Sequence, residues 1–344
     1  MNKEKTKQKK RVFSGVQPSG DLHIGNYLGA IRRWAAEQYL KENYFCIVDM
    51  HAITVYQDPE VLRRKTRDVA ALYVACGIDP AISTIFIQSH VPAHAECTWI
   101  LNCVTPVGWL VRMTQYKAKS AVQESVSTGL LDYPVLQASD ILLYDADEVP
   151  VGEDQKQHVE LTRDIAQRFN RLYGETFVVP EPRLPASGAR IRAFNDPTRK
   201  MSKSEAQVRG HAVRLVDPPD EIRMVIKRAV TDTGREIRFS DDPQKSGVNN
   251  LLETYELLTA ESRLDIEAHF SGIGYAGLKE EVAEVIIEAL RPIQERYQSL
   301  ISDPAELDDI LADGAARANA VAGPKVQEIQ ARVGFVLKQP CEGL

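Results

Sequence analysis

The sequence predicts an α/β protein with a doubly wound parallel sheet, followed by a mostly helical half. Three observations point to it. Short apolar runs at 11–13, 44–48 and 83–87 are separated by stretches of helical periodicity, the order expected of a doubly wound sheet. Beyond Pro218 strand signals fade and helical spacing returns. A chain of 344 residues, 44% hydrophobic and 26% charged, has the ordinary composition of a globular protein with room for two domains.

Residues 1–11 hold Lys3, Lys5, Lys7, Lys9, Lys10 and Arg11, and no apolar segment follows them. This is the pattern of a disordered basic tail able to touch RNA phosphates, not of a secretory signal. Next comes Ser14-Gly15-Val16-Gln17-Pro18-Ser19-Gly20-Asp21-Leu22-His23-Ile24-Gly25-Asn26-Tyr27. Leu28, Ile31, Ala35 and Tyr39 then fall at helical spacing, so a helix starts near Gly25. A strand–loop–helix junction with three glycines can turn backbone N–H groups and a helix N-terminus toward a phosphate. His23 and Asn26 add side-chain donors. A Gly/Ser-rich turn without any ligand is the plainer reading of this stretch alone.

The run 44–48 reads as a buried parallel strand ending at Asp49-Met50-His51. Asp58 is placed as an N-cap with Pro59 at the first helical position. Leu62, Thr66, Val69, Leu72, Tyr73 and Cys76 make the apolar face, and Gly77 stops the helix. In sheets of this kind ligands sit at the carboxyl ends of strands, where 14–26 and 49–51 both lie.

Residues 92–130 interrupt the alternation. Helices are expected around 95–104 and 107–116, then a loop over 117–129. Trp99, Ile100, Trp109, Leu110 and Met113 are either a subunit interface or plain core. Residues 133–144 are mostly apolar around one acid, Asp140. A strand is expected at 148–152, a helix over 153–172 with Glu153 and Asp154 at its dipole-favoured start, and a strand at 176–179. A loop with four prolines spans 180–199. Helices are expected around 220–230, 250–258, 278–300, 305–322 and 324–336.

Five cysteines, an odd number with no C-x-x-C pair, give neither a disulfide framework nor a zinc site and fit a reducing cytoplasm. No run approaches the length of a membrane-spanning helix. A net charge of −6 argues against a protein that coats nucleic acid over its whole surface. A local basic cluster remains in Arg199, Lys200, Lys203, Arg209, Arg214 and Lys227-Arg228.

Two features bear on chemistry. Lys200-Met201-Ser202-Lys203-Ser204 sets two lysines on a loop. Solvated charge is the usual fate of such lysines, but beside a bound nucleoside triphosphate they can follow negative charge onto a leaving pyrophosphate. Asp140 sits inside Ala138-Ser139-Asp140-Ile141-Leu142-Leu143. A carboxylate there is a helix cap or needs a buried donor, and a donor-only ring N–H supplies one.

The pair His23-Ile24-Gly25-Asn26 and Lys200-Met201-Ser202-Lys203-Ser204 resembles the two signatures of class I aminoacyl-tRNA synthetases. Further words narrow this. They are Tyr133-Pro134-Val135-Leu136-Gln137-Ala138-Ser139-Asp140-Ile141-Leu142-Leu143-Tyr144 and Val149-Pro150-Val151-Gly152-Glu153-Asp154-Gln155-Lys156-Gln157-His158. With Asp49-Met50-His51-Ala52-Ile53-Thr54, Arg112-Met113-Thr114-Gln115 and Gly188-Ala189-Arg190-Ile191, they resemble bacterial-type tryptophanyl-tRNA synthetases from about Val12 to Val336.

The resemblance implies a Rossmann-like catalytic domain over 12–205, with 92–130 as a dimer-forming insertion. It implies a helical anticodon-binding domain over 206–344 whose last helices can fold back on the core. Gln17, Pro18, Ser19, Gly25 and Asn26 would contact ATP, with Gly152, Glu153, Asp154 and Ile191 on the adenosine side. Lys200, Met201, Ser202, Lys203 and Ser204 would lie on the phosphates. Lys200, Lys203, His23 and Asn26 would act in catalysis. Asp140 would accept the indole N–H of tryptophan. Gln137, Tyr133, His51, Val149, Val151 and Gln155 would surround the amino acid, and Phe13 would pack on the indole. ATP would enter with Mg2+ on its phosphates, with no metal ligand from the protein and no zinc. Partners would be L-tryptophan, tRNA(Trp) and a second copy of the chain in the cytoplasm, with no membrane and no DNA.

Three positions depart from the bacterial pattern. Gln137 stands for a usual methionine, where eukaryotic-type enzymes use a glutamine with a tyrosine for the indole nitrogen. Met50 stands for a glutamine and Trp109 for a glutamate. The expected activity is tryptophan–tRNA ligation. The rivals are a tyrosyl-type ligase, a non-catalytic paralogue binding RNA or protein, and a nucleotidyltransferase of the same fold. Lys200 and Lys203 are both present, and the helical half is there, which disfavours the last two.

Overall fold

The computed structural model describes residues 9–121, 125–183 and 191–337, with the side chain of Ser204 excepted. Residues 1–8 of the expected tail, 122–124 of the expected loop, Gly188-Ala189-Arg190 and residues 338–344 lie outside the described residues.

Five parallel strands form the sheet: β1 (Arg11–Val16), β2 (Glu42–Ile47), β3 (Thr84–Ile87), β4 (Glu148–Pro150) and β5 (Glu181–Arg183), in the order β3-β2-β1-β4-β5. Phe13 pairs with Tyr44, Tyr44 with Thr84, and Val12 with Glu148. The winding reverses between β1 and β4, and the carboxyl end of that seam is where a doubly wound sheet takes its ligands.

Strand alternation divides the core. Phe45 and Ile47 face one side with the Pro59–Ala75 helix, and that core runs on without a break into Ile222, Leu251, Leu252 and Ile286 of the helical half. Tyr44 and Cys46 face the other side, against the helices Ala93–Val104, Thr128–Leu142 and Lys156–Tyr173. Beneath the sheet, the buried Glu148 carboxylate takes Lys10 at 2.8 Å, Lys41 at 2.7 Å and Arg183 at 2.7 Å, so one acid ties the ends of four strands.

Local signals explain many boundaries. Asp58 accepts from the Glu60 and Val61 amides at 3.0 Å, with Pro59 at the first position. Gly77 takes φ +97° just past that helix. The first helix runs as Ile24–Asn26, a π turn Tyr27–Ile31 and Arg32–Glu37, placing a π turn next to the first signature.

Several expectations need correction. The tail stops earlier than residue 11, because Arg11 already begins β1 and Lys10 pairs with Glu148. The helix expected over 107–116 is two pieces, Val107–Leu110 and Thr114–Ser120. Gln157 Oε1 accepts from the Thr114 amide and hydroxyl and restarts it, so the expected loop over 117–129 begins as helix. The helix expected from Glu153 begins at Lys156, after the 3-10 turn Glu153–Gln155.

No strand forms at 176–179. The Asn170 side chain bonds the Thr176 amide and both backbone groups of Phe177, so these groups are taken before a sheet neighbour can use them. The strand lies instead at Glu181–Arg183. A helix at Arg263–His269, capped by Ser262, was not expected. The two last helices are one, Pro304–Arg332, with Pro324 inside it. It lies against β3, and its Ala318, Ala322, Val326 and Ile329 join the core of the sheet domain. Within the insertion, Ile100, Leu110 and Met113 are buried core, Trp109 packs partly against that core, and Trp99 is 68% exposed.

Candidate active site

The first signature leaves β1 and is clamped at its far end. The Ile24 amide donates to the Val213 carbonyl at 2.9 Å, and the Leu215 amide to the Leu22 carbonyl at 3.0 Å. Ser19 Oγ donates to Gln17 Oε1 at 3.4 Å, and Pro18 is buried beside them. The Asn26 side chain accepts from the His23 amide at 3.2 Å. His23 is 2% exposed, yet neither ring nitrogen has a hydrogen-bond partner among the described residues. Burial, helped by Lys203, His211 and Lys200, lowers its pKa to about 3, so the ring is neutral near pH 7. Buried polar atoms left unpaired are rare and call for a ligand or an explanation. Gly25 packs closely here: a Cβ would stand 3.1 Å from His23 Nδ1 and 3.3 Å from Met201 Sδ, so those side chains would have to give way.

That contact brings the second signature to the first. Met201 is buried, and the Ser202 amide donates to His211 Nε2 at 3.1 Å. Lys203 is half-buried, and burial lowers its pKa to about 8. Lys200 is 78% exposed, with Nζ 3.6 Å from Asp154 Oδ1. Asp154 sits between Glu153 and Gln155 in the turn that follows β4 and Gly152. A Cβ on Gly152 would stand 2.7 Å from Asp154 Oδ1. Ile191 is buried in the adjoining core.

The third constellation lies on the Thr128–Leu142 helix, where Tyr133, Gln137 and Asp140 fall on one face. Asp140 is 1% exposed. Its Oδ1 accepts from Gln88 Nε2 at 2.7 Å and meets His94 Nδ1 at 2.6 Å, and its Oδ2 meets His51 Nε2 at 2.9 Å. Burial pushes this carboxyl up, but the hydrogen bonds from His51 and His94 outweigh it and hold the pKa at about 2. Gln88 also accepts from the Met50 amide at 3.1 Å, and His94 Nε2 meets the Tyr144 hydroxyl at 2.9 Å. Phe13 stacks on Tyr144 with ring centroids 5.6 Å apart.

Gln88 and His94 were missed in the sequence. The available signal was position, since Gln88 follows β3 directly at its carboxyl end. The Gln137 side chain is half-buried and makes no hydrogen bond among the described residues. Tyr133 Oη meets His158 Nε2 at 2.9 Å and Gln115 Oε1 at 3.4 Å. Val149 is buried in β4, Val151 packs at the edge of the same core, and Gln155 donates to Asp154 Oδ2 at 3.1 Å.

A cleft of about 210 Å³ joins Gln17 and Ser19 to His51, with Thr54, Lys119 and Leu130 in its wall. Asp140 stands behind His51, and among the described residues Lys200, Met201, Ser202 and Lys203 do not line this cleft. Lys119 was not singled out in the sequence. Among the described residues no three His, Cys, Asp or Glu side chains converge as a metal site, and no helix is long and apolar enough to cross a membrane.

The family described as class I tRNA synthetases (W and Y) matches residues 4–291. The chain belongs to this family. It is 52% identical over 331 residues to the tryptophan–tRNA ligase of Thermosynechococcus vestitus, covering 95% of this chain and 100% of that protein. It is 51% identical over 329 residues to the tryptophan–tRNA ligase of Wolinella succinogenes, covering 95% and 99%. The tryptophanyl-tRNA synthetase of Campylobacter jejuni, solved with ADP and tryptophan, superposes with a TM-score of 0.85 at 36% identity, over 94% of this chain and 100% of that one. The expected class I synthetase architecture is thus the observed one. In this synthetase the two signature words meet at Gly25 and Met201, on the carboxyl side of the sheet.

Proposed function

We propose that the chain is a tryptophan–tRNA ligase, working in the cytoplasm as a homodimer. The observation that carries the reading is identity of about half over nearly the full length of ligases of that name, with both signature words intact.

In the first step a carboxylate oxygen of tryptophan attacks the α-phosphorus of ATP. The bond to the bridging oxygen breaks, giving tryptophanyl-adenylate and pyrophosphate. In the second step a terminal ribose hydroxyl of tRNA(Trp) attacks the adenylate carbonyl and AMP leaves. ATP enters as its magnesium complex. The chemistry is positioning and charge stabilisation, with no protein nucleophile.

Gln17, Pro18, Ser19, Gly25 and Asn26 hold the nucleotide, and the unpaired His23 ring finds its partner there. Gly152, Glu153, Asp154 and Ile191 lie on the adenosine side. Lys200 and Lys203 take the growing charge on pyrophosphate, with Met201, Ser202 and Ser204 in the same loop. Tryptophan lies among Phe13, His51, Tyr133, Val149, Val151 and Gln155. Asp140 Oδ1 takes Gln88 and His94 while Oδ2 takes His51 alone, so Oδ2 keeps a lone pair for the indole N–H. The Gln137 amide oxygen, unpaired among the described residues, shares that task as a second acceptor.

The catalytic domain runs from β1, which opens at Arg11, to residue 205, and the anticodon-binding domain follows from 206, with the Pro304–Arg332 helix returning to the sheet. Single-stranded anticodon bases suit edge contacts and stacking on such a helical domain. In the proposed dimer the insertion meets the partner, a reading that the exposure of Trp99 supports.

The test is charging of a tRNA(Trp) transcript with labelled tryptophan. Accumulation of charged tRNA that needs ATP and Lys203 is the expected result. Tryptophan-dependent adenylate formation without transfer to any tRNA would overturn the second step, and charging with tyrosine instead would overturn the substrate.

A further inference from the structure

His158 is a buried ring that the mechanism above does not use. It lies in the first turn of the Lys156–Tyr173 helix and is 1% exposed. Its Nε2 stands 2.9 Å from the Tyr133 hydroxyl, and its Nδ1 has no partner among the described residues. Burial, with the charges of Lys119 and His51 and against that of Asp154, lowers its pKa to about 4. Near pH 7 the ring is therefore neutral and carries one N–H.

Where that hydrogen sits follows from the surroundings. A buried N–H without an acceptor is rarer than an acceptor lone pair left unused. Among the described residues Nδ1 faces no acceptor, so the hydrogen belongs on Nε2, which donates to Tyr133 Oη. The phenol cannot then donate back to His158. Its own hydrogen turns to Gln115 Oε1, at 3.4 Å. One lone pair on Oη is left for another donor. Tyr133 stands directly behind two residues of the cleft wall: its ring meets His51 edge-on at 6.2 Å, and Lys119 Nζ lies 4.9 Å from its centroid.

We propose that His158 is a positioning residue for the amino-acid substrate. By donating to Tyr133, it fixes the hydroxyl so that an oxygen lone pair faces the substrate ammonium group, which has N–H donors and no acceptor. The inference rests on the tryptophan-ligase reading.

The experiment is tryptophan-dependent ATP–pyrophosphate exchange in the full-length protein, with tryptophan and ATP varied separately. His158→Leu, His158→Gln, Tyr133→Phe and the His158→Leu/Tyr133→Phe double variant are compared. Loss of one oriented hydrogen bond should raise the KM for tryptophan about tenfold in His158→Leu and leave the KM for ATP within about twofold. His158→Gln keeps an N–H donor and should recover most of that loss. In the Tyr133→Phe background, His158→Leu should add little, because the group it orients is gone.

An unchanged KM for tryptophan in a folded His158→Leu protein would overturn the inference. So would additive effects in the double variant, or equal losses for both substrates. If His158→Leu does not fold, a near-normal KM in His158→Gln beside a raised KM in Tyr133→Phe is the expected pair, and the reverse pair contradicts it. Wild-type protein without tryptophan-dependent exchange would overturn the ligase reading itself, a result distinct from an unmoved KM.

Discussion

Gly20 lies against the backbone of Lys203. A Cβ built on Gly20 would stand 2.5 Å from the Lys203 carbonyl oxygen, and Gly20 itself holds φ +71°. The two signature words, far apart in sequence, are therefore in contact at a position where only glycine fits. Gly20→Ala is expected to displace the second loop. Backbone strain of this kind is worth about 1–3 kcal/mol, so exchange activity should fall by roughly tenfold to a hundredfold while the far sheet stays intact. Pyrophosphate exchange alongside a thermal melt checks this. Full activity in Gly20→Ala would show that the contact does not matter.

The Lys203 ammonium loses its proton early, since burial lowers its pKa to about 8. If its charge stabilises pyrophosphate, exchange is full below that pH and falls as pH rises through it. Lys203→Arg, which stays charged, should lose that alkaline fall even if its rate is lower. The stability effect has the opposite sense. Between about pH 8 and the ordinary lysine range near 10.4, the unfolded chain binds more protons than the folded one, so stability should rise with pH there. A pH–rate profile of both proteins is the measurement.

Asp140 carries a different pH signature. Its pKa is held at about 2, below the ordinary aspartate value. The stabilisation is therefore present above about pH 3.9 and lost as pH falls toward the folded value. Asp140→Ala leaves Gln88, His51 and His94 without their common acceptor. Removing one partner of a buried charged cluster typically destabilises by about 3–5 kcal/mol. Urea unfolding at pH 7 and at pH 3 should show a large gap between wild type and variant at the first pH and a smaller one at the second.

The sheet was legible because its strands are bounded by turns and caps that sit next to them in sequence, such as Asp58-Pro59 and Gly77. What was not legible depended on distant partners. Asn170 diverts the expected strand at Thr176, and Gln157 restarts the expected helix at Thr114 as a separate piece. In the site, both signature loops were legible as words. Gln88 and His94 were not, because only the fold brings them to Asp140, from the end of β3 and the helix after it. The last helix was divided at Pro324 for a local reason, whereas packing on the sheet keeps it whole.

That packing gives a further prediction. A Cβ on Gly314 would run into the carbonyl oxygen of Ile85 in β3. Gly314→Ala should lift the Pro304–Arg332 helix from the sheet edge and destabilise the protein by about 1–3 kcal/mol, despite alanine's better helix propensity. A thermal melt decides it. Unchanged or raised stability would contradict the close approach.

The most direct measurement is ATP–pyrophosphate exchange with tryptophan, tyrosine and phenylalanine in parallel, on wild type, Lys203→Ala and Gln137→Met. Exchange with tryptophan alone is expected, abolished or strongly reduced by Lys203→Ala and weakened for tryptophan by Gln137→Met. Folded wild-type protein that supports exchange with none of the three, or with tyrosine in preference, would contradict the account.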